Sequence, residues 1–174
     1  MASVQLGIPK RIIYLKNTNL DIINKMQYDT ATKEEKSYNE GRVLVNPKII
    51  KRYGLTSYWE ACASCLNYVG LVKRPYMIEL EYYDQLGNFY KETFEQFEAT
   101  VLSHEYDHLN GVLHIDIADK VLEMTQAERK KFRQTHPYEI ISKDGKYEEL
   151  LEKNQMKKIL NDLFFFIYKE SALK

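Results

Sequence analysis

The segment HEYDH at residues 104–108 has the residue types and the spacing of a metal-dependent hydrolytic site. On a helix, residues four positions apart share one face, so the imidazoles of His104 and His108 would lie about 6 Å apart and could hold one divalent ion. A bound ion lowers the pKa of a water molecule, and Glu105 is placed to take the proton and return it to a leaving group. The segment therefore predicts a metal ion that activates water.

Two histidines leave a third ligand to be found, and the residues alone leave two candidates open. HEYDHLNGVLH at residues 104–114 fits the H-E-x-x-H-x-x-G-x-x-H zinc signature of metzincin proteases, in which the last histidine, here His114, returns to the metal. Cys62 is the other candidate, because a thiolate is a good ligand for zinc and for iron. The first candidate predicts a site of three histidines, and the second predicts a site of two histidines and a cysteine.

The composition is that of a globular protein without a strong charge preference. The 174 residues suffice for one domain with a sizeable core, and 25 basic against 25 acidic residues leave a formal net charge of zero. We expect neither nucleic acid nor an anionic membrane as a partner on charge grounds. The longest apolar or aromatic run, residues 163–168, is too short to span a bilayer. Two cysteines, Cys62 and Cys65, exclude the disulfide framework of a small secreted protein.

Short strands are expected ahead of the HEYDH segment. Residues 11–15 form an apolar run, and residues 42–50 form a second one that we expect to break at Asn46-Pro47. Residues 76–84 alternate between two faces and are followed by a turn sequence, which is typical of an antiparallel sheet. Residues 17–41 are polar and irregular, which predicts a long surface loop or insertion.

Helical periodicity begins at about residue 94 and places both histidines on one face. Asn110-Gly111 supplies a stop signal. Beyond Asp119 we expect further helices, the first opened by a Thr125/Glu128 capping box and the last over residues 147–168. This last helix carries an apolar stripe that we expect to pack on its own domain: Leu150, Leu151, Met156, Ile159, Leu160, Leu163, Phe164 and Ile167.

Three segments, in order along the chain, resemble the motifs of peptide deformylases. VQLGIPKRI at residues 4–12 is similar to the end of GLAAPQxGxxKRI, EACAS at 60–64 resembles EGCLS, and SHEYDHLNG at 103–111 resembles QHExDHLNG. The resemblance covers about residues 2–117. It implies an α+β fold with antiparallel sheets around a central helix that carries HEYDH. We expect one domain over residues 1–174, with a core of about 1–120 and a long helical C-terminal extension of about 121–174.

The resemblance also implies roles for individual residues. Cys62, His104 and His108 would hold one divalent metal, which the family resemblance implies is Fe²⁺, with Zn²⁺, Ni²⁺ or Co²⁺ able to replace it. Glu105 would be the general acid and base, with Gln5 and the backbone N–H of Ala63 as oxyanion donors. Four residues would line a methionine pocket: Tyr58, Phe97, Thr100 and Val101. Arg74 and Asp107 would be supporting charges or a surface salt bridge.

The function that the resemblance implies is hydrolysis of the N-formyl group from the initiator methionine of nascent polypeptides, with release of formate. Formylated starts imply a bacterial cytoplasm, a plastid or a mitochondrion, and nascent chains at the ribosome as partners. Two alternatives stay open. One is a metzincin-like protease with His114 as third ligand, and the other is a weakly catalytic or non-catalytic relative that binds a partner.

The sequence departs from the family motifs at several positions. Ala61 replaces glycine, Ala63 replaces leucine and Ser103 replaces glutamine, while residues 66–71 lack the usual Pro-Gly stretch. The sequence given also begins inside the first motif. Since Ala61 introduces a side chain beside the metal ligand and the oxyanion donor, we expect weaker deformylase activity than in typical relatives.

Overall fold

An antiparallel β-sheet is the scaffold of the protein. The computed structural model describes residues 1–16, 25, 32 and 41–171, with 161–171 described by the backbone alone. Within these residues, all the strand pairings are antiparallel. The strands are Ile12–Leu15 (β1), Arg42–Ala61 (β2), Tyr68–Arg74 (β3), Met77–Tyr83 (β4), Phe89–Glu95 (β5), Lys120–Glu123 (β6) and Glu139–Lys146 (β7).

Beyond β5 the chain forms Gln96–His108 (α1), His114–Ile117 (α2), Gln126–Thr135 (α3) and Tyr147–Ser171 (α4). Short 3₁₀ turns lie at Ser3–Leu6 and Ala63–Cys65. Helix α1 carries the HEYDH segment and contacts β3, β4 and β5. The expected fold class is confirmed, since an antiparallel sheet surrounds a helix with this segment.

Strand β2 organises the sheet. The strand order is β5-β4-β2-β3-β6, and β1 and β7 also pair with β2. The break expected at Asn46-Pro47 is wrong, because the strand continues to Ala61 through a shift in register between Val45 and Lys48. Asn46 has a φ of 52°, which asparagine tolerates better than most residues, and Pro47 falls where the ladder is irregular. The long strand thereby ends immediately before Cys62.

A single apolar cluster lies between the sheet and the first turns of α1. It is formed by the buried residues Ile13, Leu15, Leu44, Ile78, Leu80, Tyr82, Phe94, Ala99 and Leu102. Phe94 belongs to β5, and the helix begins at Gln96, so the predicted helix started two residues too early. Burial of Ala99 and Leu102 fixes the face that α1 presents to the sheet.

The C-terminal region contains strands as well as helices. The capping box that opens α3 is confirmed, since the Glu128 N–H donates to Thr125 Oγ1 and the Thr125 N–H donates to Glu128 Oε2. Strands β6 and β7 were not expected, and they join this region to β3 and β2. Strand β7 is mostly exposed, so its sequence has no alternation that would predict a strand.

Helix α4 does not pack along its length as expected. Met156, Ile159 and Leu160 are each about 60 % exposed, so this part of the apolar stripe is not buried against the domain. The stripe residues beyond 160 lie outside the described side chains. The predicted loop or insertion over 17–41 lies almost entirely outside the described residues. Among the helices that the structure describes, none is both long and apolar enough to cross a membrane.

Candidate metal centre and active site

Three side chains from two elements converge at one point. Cys62 Sγ lies 3.2 Å from His108 Nε2, which lies 3.1 Å from His104 Nε2. The three potential ligand atoms all lie within 4.8 Å of one another. The two rings are nearly perpendicular, with centroids 4.7 Å apart. Two of the three groups, Cys62 and His108, are buried, so the cluster is largely shielded from solvent.

The local structure explains why these groups meet. Cys62 follows the last residue of β2 in extended conformation and caps the 3₁₀ turn Ala63–Cys65, where its Sγ accepts from the Ser64 N–H at 3.4 Å. His104 and His108 are one turn apart at the end of α1. Because α1 packs on the sheet, the end of β2 faces the end of the helix.

Glu60 on β2 connects His104 to a buried arginine. Its Oε2 lies 2.8 Å from His104 Nδ1, and Arg74 donates to the carboxylate from Nε at 2.7 Å and from Nη2 at 3.0 Å. Burial raises the pKa of Glu60, but the Arg74 charge and the hydrogen bonds from His104 and Arg74 lower that pKa to about 2. Glu60 is therefore ionised and orients the His104 ring so that Nε2 faces the other ligands.

Arg74 is not part of a surface salt bridge. It is almost fully buried, and Nη1 donates to Asp107 Oδ2 on α1 while the rest of the guanidinium binds Glu60. Of the two interpretations left open for Arg74 and Asp107, a buried network behind the ligands is the one that the structure contains. This network ties β2 and β3 to the helix that carries both histidines.

The protonation of the cluster suits a metal site. Burial raises the pKa of Cys62, but hydrogen bonds from His104, His108 and Ser64 lower it to about 5. Burial lowers the pKa of His104, but hydrogen bonds to Cys62 and Glu60 raise it to about 9. A thiolate and two imidazoles form a donor set that suits Zn²⁺ and Fe²⁺, and metal binding there would displace the proton of His104. The residues therefore fit one divalent ion.

A cleft of about 340 Å³ opens beside this cluster. Its walls include the four residues expected to form a pocket: Tyr58, Phe97, Thr100 and Val101. The rings of Tyr58 and Phe97 meet edge to face with centroids 5.1 Å apart. Tyr138, which follows α3, completes an aromatic cluster with both rings and lies near Thr100 Oγ1. The cleft therefore offers an apolar wall next to the metal ligands.

The other expected catalytic groups also line this cleft. Gln5 Oε1 accepts from the Ala2 N–H at 2.9 Å, which directs Nε2 toward Ser64 Oγ at 3.0 Å and Cys62 Sγ at 3.5 Å. Ala63 is exposed at the start of the 3₁₀ turn. Glu105 Oε1 lies 3.2 Å from the Met1 amino nitrogen, and its Oε2 is buried without a hydrogen-bond partner in the described residues.

His114 lies apart from the converging ligands. It opens α2, is almost fully buried, and its Nε2 lies 3.3 Å from the Tyr68 backbone carbonyl. Its ring centroid is 5.8 Å from that of His104. Across the described ranges, the one potential metal group consists of Cys62, His104 and His108. The geometry does not support the alternative with His114 as third ligand.

Sequence reasoning gave no role to three residues that the structure brings to this site. Glu60 stood inside the matched EACAS segment, and its charge next to the cysteine was an available signal. Tyr138 and Arg133 lie beyond the matched segments, and nothing in their spacing indicates that the chain folds back. Arg133 reaches the cleft because α3 packs against β2, where Phe132 meets Trp59 edge to face.

The fold and the site together define an α+β protein in which a cysteine at a strand end faces the two histidines of an H-E-x-x-H helix. The profile of the polypeptide deformylase family matches residues 1–123, and the chain belongs to this family. Peptide deformylase from Rhizobium meliloti (strain 1021) is 38 % identical over 122 residues, which is 70 % of this chain and 62 % of that protein. Peptide deformylase 1A, chloroplastic, from Solanum lycopersicum is 32 % identical over 67 % of this chain and 42 % of its own length.

Solved structures support the same assignment. A probable peptide deformylase from Synechococcus phage S-SSM7 superposes with a TM-score of 0.55 at 30 % identity, over 67 % of this chain and 69 % of that one. The chain thus spans less than two thirds of the two relatives named above and slightly more of the phage protein. The family match ends at residue 123, which is the last residue of β6.

Proposed function

We propose that the protein is a metal-dependent hydrolase that removes the N-formyl group from the initiator methionine of nascent polypeptides. The observation that carries the proposal is the convergence of Cys62, His104 and His108 beside an apolar cleft that Glu105 also lines. Membership of the polypeptide deformylase family supports it independently. The products would be formate and a free amino terminus.

One divalent ion would be held by Cys62, His104 and His108, and we propose Fe²⁺, with Zn²⁺, Ni²⁺ or Co²⁺ as replacements. A thiolate and two imidazoles suit iron and zinc alike. When bound, the ion supplies Lewis acidity, which polarises the formyl carbonyl and makes a water molecule more acidic. A set of three protein ligands is typical of catalytic rather than structural metal sites.

Glu105 would transfer a proton from the attacking water to the leaving nitrogen. It is the residue after His104, so the end of α1 that presents the histidines also carries the carboxylate to the cleft. The carboxylate would take a proton from water as the water attacks the formyl carbon, and would then donate it to the leaving nitrogen. Its Oε2 is free of hydrogen bonds within the described chain, so this oxygen is available as a proton acceptor.

Gln5 and Ala63 would stabilise the oxyanion that forms when water adds to the formyl carbon. The hydrogen bond from Ala2 orients the Gln5 amide so that Nε2 points toward Cys62 and Ser64. Ala63 contributes its backbone N–H from the cleft wall. Donors that are fixed before the reaction stabilise developing charge without reorganising, which is the usual origin of a large rate effect.

The methionine side chain would occupy the apolar part of the cleft. Its walls are Tyr58, Phe97, Thr100 and Val101, with Tyr138 packed behind the two aromatic rings. An unbranched thioether side chain fits such a wall because it adapts to aromatic surfaces and makes favourable sulfur contacts with them. A methionine bound in this way would have its formyl group next to Cys62, His104 and His108.

Formylated initiator methionine is made where translation is of bacterial type, so nascent chains at the ribosome would be the physiological partners. The relatives include a bacterial protein and one described as chloroplastic. We therefore propose a bacterial cytoplasm, a plastid or a mitochondrion as the compartment.

The test is formate release from formyl-Met-Ala-Ser by protein that is loaded with Fe²⁺ and kept anaerobic. We expect formate from this peptide and none from acetyl-Met-Ala-Ser, which keeps the methionine but lacks the formyl group. Cleavage between residues of longer peptides would instead indicate an endopeptidase. The absence of formate from fully metallated protein would overturn the proposed function.

A further inference from the structure

Helix α3, which lies beyond the family match, supplies a charged residue to the cleft. Arg133 lies ten residues beyond the end of the family match, yet it lines the same cleft as Cys62, His104 and Glu105. Arg133 also contacts Tyr58 and Trp59 of β2, which precede Cys62 in the chain. A cation in the wall of this cleft is placed to contact a bound substrate.

Arg133 is held in place by β2. Its Nη2 donates to the Trp59 backbone carbonyl at 3.4 Å, and its guanidinium carbon lies 5.2 Å from the centre of the Tyr58 ring. The neighbouring Phe132 packs edge to face on Trp59 with centroids 5.1 Å apart. These contacts fix the direction of the side chain, so little conformational entropy remains to be lost when it binds a ligand.

The charge of Arg133 has no acidic partner in the described part of the chain. No carboxylate lies within 4.0 Å of its guanidinium there, in contrast to Arg74 with Glu60 and Asp107. Its Nε is buried and lacks a hydrogen-bond acceptor within the same residues. A guanidinium that lines a cleft and lacks an acidic partner can gain charge-assisted hydrogen bonds when a carboxylate binds there.

The cleft continues past Arg133 into a polar cavity. This second cavity, of about 410 Å³, shares Ala61, Cys62, Ala63 and Arg133 with the first. Its remaining walls are polar apart from one leucine: Leu66, Asn67, Gln126 and Arg129. Arg129 lies one turn before Arg133 on the same face of α3, so both cations border the path that leads away from the metal ligands.

We propose that Arg133 binds a carboxylate of the peptide downstream of its methionine, so that the site favours acidic peptides. The inference rests on the proposed deformylase function and names a feature of its substrate. Guanidinium and carboxylate match as a bidentate pair, which is stronger than a neutral hydrogen bond. The carboxylate belongs either to an aspartate or glutamate side chain or to the carboxyl terminus of a short peptide, and the two sources can be separated by experiment.

The kinetic test compares matched formyl peptides on Fe²⁺-loaded protein. Formyl-Met-Ala-Asp-amide and formyl-Met-Asp-Ala-amide are each compared with the corresponding asparagine peptide, and formyl-Met-Ala with a free carboxyl terminus is compared with its amide. We expect kcat/KM to be roughly 10- to 100-fold higher for the carboxylate member of at least one pair, mainly through KM. The pair that shows the effect identifies the source of the carboxylate.

Two variants connect the preference to Arg133. Arg133→Met should bring the carboxylate-to-amide ratio of kcat/KM close to one, while Arg133→Lys should keep part of the preference. Lys131→Met is the matched control, because it removes the same charge from an exposed position of α3 and should leave the ratio unchanged. A wild-type ratio near one, or a preference that persists in Arg133→Met, would overturn the proposal.

A binding measurement separates this inference from the proposed function. The deformylated peptides Met-Ala-Asp-amide, Met-Asp-Ala-amide and Met-Ala, with their asparagine or amide counterparts, are titrated into Zn²⁺-loaded wild type and Arg133→Met by calorimetry. Tighter binding of a carboxylate peptide to wild type alone supports the role of Arg133 even where no formate is released. Formate release without any carboxylate preference in either assay leaves the deformylase function intact and rejects the role of Arg133.

Discussion

Glu60 Oε2 lies 2.8 Å from His104 Nδ1, while Arg74 binds the same carboxylate from the other side. The His104 ring is thus fixed by a carboxylate that is itself fixed by a buried arginine. Since Arg74 also reaches Asp107 on α1, the network joins β2, which ends immediately before Cys62, to the helix that carries the histidines. Such outer partners set the ring orientation of metal-ligating histidines.

Arg74→Met should lower the free energy of unfolding by about 3–5 kcal/mol, because it leaves the Glu60 carboxylate buried without its charged partner. Chemical denaturation of the metal-free protein measures this. The double variant Glu60→Gln/Arg74→Met should lose less than the sum of the two single variants. Arg52→Met is the control, since its partner Glu148 is mostly exposed, and it should change stability by less than about 1 kcal/mol. Equal losses in Arg74→Met and Arg52→Met would contradict the buried network.

Glu105→Gln should keep the metal and lose turnover by roughly 10²- to 10⁴-fold, because the amide preserves shape but cannot accept the proton. Metal analysis and formate release on the same preparation measure both properties. Glu149→Gln, at an exposed position of α4, is the control and should keep full activity. Deformylation that continues unchanged in Glu105→Gln would show that another group moves the proton.

Ala61→Gly should raise kcat/KM several-fold. The Ala61 side chain borders both cavities beside Cys62, where the family motif has glycine, so its removal opens the path of the peptide. Steady-state kinetics on formyl-Met-Ala-Ser measure the effect. No gain at position 61 would favour the interpretation of a weakly catalytic or non-catalytic relative.

The histidine pair could be predicted because helical spacing is a local property. Positions four apart in HEYDH lie on one face wherever the helix packs, and α1 ends at His108, close to the predicted stop. The position of Cys62 is different, since it depends on β2 running on to Ala61. That half of the strand is buried on both faces, so it lacks the alternation by which strands are recognised.

The contacts that bring the C-terminal region to the cleft could not be predicted from the sequence. Strand β7 pairs with the middle of β2, and this pairing brings α3 and Tyr138 back to the cleft. Pairing partners are set by tertiary packing, which no local pattern encodes. In the sequence, Arg133 is therefore one basic residue among several in a polar helix, whereas in the structure it lines the cleft beside Cys62.

Thr125→Ala should lower the free energy of unfolding by about 1 kcal/mol, because the Thr125 hydroxyl and Glu128 form the capping box at the start of α3. Since α3 positions Arg133, the variant should also reduce any carboxylate preference in kcat/KM. Thermal denaturation and the paired formyl peptides measure the two effects. Thr135→Ala, at the other end of the same helix, is the control, and an equal loss of stability there would contradict the role of the cap.

The metal centre of Cys62, His104 and His108 is tested most directly by the metal content of two variants measured in parallel after dialysis. Wild type and His114→Phe should each hold about one divalent ion per chain. Cys62→Ser should hold well below one, because a hydroxyl replaces the thiolate poorly. Co²⁺-loaded wild type and His114→Phe should also show thiolate-to-cobalt charge-transfer absorption that Cys62→Ser lacks. Loss of metal from His114→Phe together with full retention in Cys62→Ser would contradict the assignment.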